Sequence, residues 1–86
     1  MNYSAAKGYR RAAALLRQDG WCQGTYADAE GRCCLMGALL IVSGPEMDFY
    51  HLVQVTGQAI SIFNDAPGMT AEDAVAALEI AADLAS

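Results

Sequence analysis

Three cysteines, one histidine and an Asn-Asp pair are the residues of this 86-residue chain whose chemistry could reach beyond packing. Zinc is held by thiolates and imidazoles spaced two to four residues apart, so that one turn presents both to the metal. Cys22, Cys33, Cys34 and His51 offer no such pair, because adjacent cysteines tend to point in different directions. No metal and no cofactor are expected, and His51 reads as a helical residue with an ordinary hydrogen bond. Thiol catalysis is the second chemistry. Cys33 or Cys34 falls where a helix should begin, and aligned backbone N–H groups there favour a thiolate. With His51 as base and Asn64 or Asp65 as orienter, a Cys-His-Asn/Asp set can be assembled on paper. Small buried cysteines that only pack are the commoner case.

The Asn-Asp pair belongs to the stretch Phe63-Asn64-Asp65-Ala66-Pro67-Gly68-Met69-Thr70, which lies between two apolar segments. Two constructions fit it. In the first, Pro67 and Gly68 take the central positions of a type II turn, where proline presets φ and glycine accepts φ > 0. Asn64 and Asp65 then bond nearby backbone N–H groups, and Thr70 caps the next helix. In the second, the pair joins Trp21 or Gln23 to hold a polar ligand or a partner peptide. The candidate polar centre is Trp21, Gln23, Cys34, Asn64 and Asp65. The first construction is preferred, since it gives every residue a local job.

These residues must be positioned by one domain spanning 1–86, because so short a chain cannot divide its apolar residues between two cores. The apolar content of 55% is largely alanine, with only two Phe, one Trp and four Tyr to fill large gaps. Self-association would enlarge such a core. The longest apolar run, Leu35 to Val42, has eight residues, far short of the roughly 18–20 that span a bilayer. Lys7, Arg10, Arg11 and Arg17 interrupt any signal-peptide core. A cytoplasmic protein with reduced thiols is expected, and three cysteines argue against a disulfide framework.

The net charge of −5 is unevenly spread. Lys7, Arg10, Arg11 and Arg17 precede all ten acids, which begin at Asp19. That asymmetry suggests intramolecular pairing or a polar partner rather than a polyanion binder. Nucleic acid is not expected as a partner, since phosphate contacts need positive potential along a track. No phosphate-cradling Gly-Lys-Ser/Thr loop is present.

A first helix is read over residues 4–19, with Ser4 as N-cap and Gly20 ending it. Ala5, Tyr9, Ala12, Ala13 and Leu16 share its apolar face. Residues 21–34 lose the helical period: Asp28-Ala29-Glu30-Gly31 is turn chemistry, Thr25-Tyr26 and Arg32-Cys33 could pair as a short hairpin, and Trp21 is the anchor. Cys34 to Ser43 reads as a buried helix, and Pro45 begins another that reaches Thr56. A shorter helical piece follows over 58–64. The last helix runs from Thr70, with Asp73 completing a capping box, to about Ala85. On its wheel Val75 and Leu78 lie nearly opposite Ile80 and Leu84, so the helix either sits deep in the domain or shows one flank to another subunit. The fold class is mainly α: a compact single domain of four to five short helices with a small hairpin or irregular excursion after the first helix.

Gly20-Trp21-Cys22-Gln23-Gly24, then Cys34-Leu35-Met36-Gly37-Ala38-Leu39, then Phe63-Asn64-Asp65…Gly68-Met69-Thr70 resemble a domain-of-unknown-function family of small actinobacterial and phage proteins. Its pattern is W-x-Q-G, C-x-x-G-A-L and W/F-N-D-x-x-G-x-T, in this order. The chain departs from it at Cys22 and in having Phe63 where Trp is more usual. The resemblance carries no activity across, and it implies a phage or prophage accessory protein.

The expected function is therefore a non-enzymatic interaction module in the cytoplasm, the host's if phage-encoded, that binds a host or self partner. Its candidate surfaces are the face of Lys7, Arg10, Arg11 and Arg17 and the flank of Ile80 and Leu84, with homodimerisation an open expectation. The rival is a small-ligand or thiol-dependent enzyme centred on Cys34, Asn64 and Asp65.

Overall fold

The computed structural model describes residues 5–86, apart from the side chain of Glu46. The helices are α1 (Ala5–Asp19), α2 (Leu35–Ser43), α3 (Tyr50–Thr56), α4 (Ile60–Asn64) and α5 (Ala71–Ala85). The mainly α single domain is what the sequence led us to expect. The expected cap Ser4 lies outside the described residues.

The last helix is the central beam, with α1 on one side and α3 on another, while α2 packs on α1. Ion pairs at the surface mark the direction of α1 against α5. Arg17 meets Glu79, and Arg10 reaches Asp83 (3.7 Å) and Ser86 (3.2 Å), so the two helices run antiparallel. The buried positions of both helices are mostly small: Ala12 and Ala13 on α1, and Ala74, Ala77, Ala81 and Ala82 on α5. The largest side chains under 2% exposed are Tyr9, Leu35, Leu39, Leu52, Leu78 and Asn64. A core with so few large residues leans on each of them. Truncating one of the leucines to alanine should cost about 2–5 kcal/mol.

Tyr9 is wholly buried, yet its hydroxyl is fully used. It donates to Asp48 Oδ1 (2.8 Å) and accepts from the backbone N–H of Leu52 (3.1 Å), tying α1 to the start of α3. Burial and then the Asp48 hydrogen bond push the phenol well above its usual range. The same contact corrects the expected helix from Pro45. Gly44–Glu46 is a single 3-10 turn, Met47 is extended (φ −59°, ψ 145°), and α-helix resumes only at Tyr50. Asp48 is drawn out of any first turn because its carboxylate receives the Tyr9 hydroxyl and lies 3.2 Å from His51 Nδ1.

The excursion between α1 and α2 pairs in antiparallel fashion around the expected turn, about one residue from the expected register: Asp28 N–H donates to Arg32 O (2.9 Å) and Cys34 N–H to Tyr26 O (3.1 Å). Cys33 alone is its axis, bridging Trp21 in parallel and Ala27 in antiparallel fashion. The Asp28–Gly31 turn forms as expected (Gly31 N to Asp28 O, 3.1 Å). The Asp28 carboxylate accepts from the N–H groups of Glu30 (3.0 Å) and Arg32 (2.9 Å) and pairs with the Arg32 guanidinium (2.6 Å). The last helix begins as read, with both arms of the Thr70–Asp73 capping box present. Among the described residues, no helix is long and apolar enough to cross a membrane.

Candidate functional site

Asn64, at the end of α4, is 1% exposed and is the one buried polar side chain among the described residues. Its amide uses all four of its hydrogen-bonding positions. Oδ1 accepts from Trp21 Nε1 (2.7 Å) and from the backbone N–H of Leu35 (3.0 Å), while Nδ2 donates to the Cys22 carbonyl (3.1 Å) and to Asp65 Oδ1 (2.9 Å). The indole and the backbone N–H can only donate, so they fix which amide atom is the oxygen. Leu35 opens α2, where the first N–H groups have no partner inside the helix. Asn64 satisfies that group from 29 residues away.

The neighbours complete a knot around it. Gln23 Nε2 donates to the carbonyls of Asn64 (3.0 Å) and Ala66 (3.1 Å), and Asp65 Oδ1 accepts from the Gly24 N–H (3.0 Å). These hydrogen bonds from Asn64 and Gly24 hold the Asp65 carboxyl below its ordinary value. Cys34 is the N-cap of α2, its sulfur accepting from the Gly37 N–H (3.2 Å). A Cβ on Gly37 would lie 2.2 Å from the Tyr26 carbonyl oxygen, so only glycine lets the excursion rest on the first turn of α2. The tripartite pattern read from the sequence thus converges in space: Trp21, Gln23 and Gly24, then Cys34, Leu35 and Gly37, then Asn64 and Asp65.

This convergence corrects the preferred local construction. Asn64 and Asp65 do not bond neighbouring N–H groups; they reach across 29 to 42 residues to Leu35, Cys22 and Gly24. The rest of the stretch is as expected. Met69 N meets Ala66 O (3.2 Å) across Pro67-Gly68, with Gly68 at φ +81°, and Thr70 caps α5. Of the candidate polar centre, Trp21, Gln23, Asn64 and Asp65 meet and bond one another or the backbone, whereas the Cys34 sulfur bonds only the Gly37 N–H of its own helix. Among the described residues, no buried side-chain N or O lacks a partner.

The thiol arrangement is not assembled. His51 lies against Asp48 and sits edge-on to the rings of Tyr9 and Tyr50, while Asn64 is held in the knot. Cys22, Cys33 and Cys34 are all buried free thiols. Burial pushes Cys22 and Cys33 up, away from the thiolate. Among the described residues, no three His, Cys, Asp or Glu side chains stand close enough to share a metal ion.

A different kind of surface lies on α5. Ile80 is 50% and Leu84 54% exposed, opposite the buried Val75 and Leu78, so the helix is not buried on all sides. Beside Ile80 is a cleft of about 370 Å³ lined by Val55, Phe63, Met69, Ala76 and Asp73. The sequence pattern had marked Ile80; the rest of this wall was missed, because it is drawn from α3, α4, the Pro67-Gly68 turn and α5 together. Of the basic set, Arg10 and Arg17 pair with α5 within the chain, and Lys7 and Arg11 are exposed on α1.

A family model matches residues 2–84. The chain belongs to DUF6197, a family of unknown function. Neither a curated protein nor a solved structure matches it.

Proposed function

We propose that this DUF6197 chain is a non-enzymatic interaction module whose docking face is the exposed flank and cleft of α5. The observation that carries this reading is the pairing of half-exposed Ile80 and Leu84 with an apolar cleft on the helix that also forms the centre of the core. Large apolar side chains on a rigid helix are what partner surfaces use as anchors. The use of Asn64, Asp65, Gln23, Trp21 and Cys34 within the fold supports the non-enzymatic side of the reading, since a catalytic centre needs polar groups directed at a reacting atom. The setting we propose is that implied by the resemblance: a phage or prophage accessory protein in the host cytoplasm, with a host protein or a second copy as partner.

The test is capture from host lysate together with sedimentation equilibrium, comparing wild type with Ile80→Glu and Leu84→Glu. Partner or self-association should be lost in both variants while the far-ultraviolet circular dichroism and melting curve are retained. A chain that stays monomeric at high concentration and captures nothing that the variants fail to capture overturns the proposal.

A further inference from the structure

The cleft on α5 lies in a part of the chain with a one-sided charge. From Cys33 to Ser86 there is no Lys or Arg, whereas seven acids occur: Glu46, Asp48, Asp65, Glu72, Asp73, Glu79 and Asp83. The lining of the cleft comes entirely from this part. Asp73 stands in its wall, and Asp65 lies beyond the Ala66-Pro67 turn that the cleft shares with the adjoining groove. Hydrogen bonds from Asn64 and the Gly24 N–H keep Asp65 anionic at neutral pH. No Lys or Arg is among the residues that line the cleft. Arg10 and Arg17 cover α5 on its α1 side, and Arg32 is held by Asp28 and Glu30.

Resting on the interaction-module reading, we infer that the cleft takes a basic amphipathic segment of a different protein, with apolar side chains seated against Val55, Phe63, Met69 and Ile80 and Lys or Arg beside Asp65 and Asp73. An apolar floor supplies affinity through burial, and a rim of one sign selects the opposite sign in the occupant. A helix with apolar residues at i, i+3 or i+4 and i+7 lays one apolar face into a groove of this kind. A second copy fits poorly. Two-fold pairing would set this acid-only face against itself, and like charges brought together oppose association.

The inference is tested with three fluorescein-labelled 14-residue synthetic peptides in one amphipathic pattern, Leu/Lys, Leu/Glu and Ser/Lys, by anisotropy. The Leu/Lys peptide should bind, weaken as salt is added, and bind Ile80→Ser at least about tenfold more weakly. The other two peptides should bind at least about tenfold more weakly than Leu/Lys. Equal binding of Leu/Glu, or equal binding of Leu/Lys by Ile80→Ser, overturns the inference. A wild-type dimer that Ile80→Glu dissociates, with no peptide bound, overturns the basic occupant and leaves the module reading standing. A monomer that binds no peptide and captures nothing from lysate overturns both.

Discussion

The knot around Asn64 and the flank of α5 are two surfaces of unlike design in one small domain. In the knot, polar atoms meet one another across the chain, and each donor and acceptor of the Asn64 amide is occupied. On the flank, apolar side chains are left open by the described residues, Ile80 and Leu84 being about half exposed. The knot gains from being closed, because a buried polar group left unpaired costs about 1–3 kcal/mol. The flank contributes little to the isolated fold, since half its area is still wet. A residue whose substitution unfolds the protein and a residue whose substitution only blinds it should therefore be separable here.

The sharpest test of that separation is Asn64→Leu. It would leave the Trp21 indole N–H, the Leu35 N–H and the Cys22 carbonyl without their partner. At about 1–3 kcal/mol each, partly relieved by water, a loss of about 3–5 kcal/mol is expected. A domain of this size has only about 4–13 kcal/mol in total, so urea unfolding followed by Trp21 fluorescence should show a chain at or past the edge of folding. A change under 1 kcal/mol would mean the knot is not the keystone it is taken to be.

Gly37→Ala comes next. The added methyl meets the Tyr26 carbonyl oxygen, which is backbone already accepting from the Cys34 N–H (3.1 Å), so it cannot swing aside. About 2–3 kcal/mol of destabilisation is expected, measurable as a lower urea midpoint. At the outer edge of the same region, Thr70→Ala removes one arm of the capping box and should cost about 1 kcal/mol.

Acid should probe a third contact, between α1 and α3. Burial raises the Asp48 carboxyl, but the Tyr9 hydroxyl and then the His51 contacts outweigh it and hold it below its ordinary value. A carboxyl depressed in the folded state adds stability that is whole above its unfolded value, about pH 4, and is lost as pH falls through the lower folded value. Urea midpoints measured downward from about pH 5 should therefore fall. Asp48→Asn should be less stable at neutral pH and show a shallower acid decline. An unchanged acid limb would remove Asp48 from the account.

The smallest expected effect completes the comparison. Ile80→Ser on the exposed flank should shift stability by no more than about 0.5–1 kcal/mol while reducing partner or peptide binding. A loss as large as that of Asn64→Leu would make the flank part of the core and dissolve the distinction between the two regions.

Much of the architecture was legible in the residues. Helical periodicity placed the apolar face of α1 and the split wheel of α5, Thr70 and Asp73 announced a capping box, and Pro67-Gly68 announced a turn. These features depend on neighbours within about four residues, so their physics is local. The helix expected from Pro45 was misjudged because Tyr9, 39 residues earlier, engages Asp48. The local role given to Asn64 and Asp65 was misjudged for the same reason: apart from the bond between the two, their partners Leu35, Cys22 and Gly24 lie 29 to 42 residues away.

The sequence by itself determined that this is a small helical domain with one apolar flank too many and a charge divided between its two ends. Only the tertiary structure decided that Trp21, Gln23, Asn64 and Asp65 close on each other, and that the cleft beside Ile80 has an acidic border. Hydrogen bonds are directional and satisfied once, so which donor meets which acceptor depends on how the helices dock. Periodicity reports which side of a helix is apolar; it carries no record of what stands opposite.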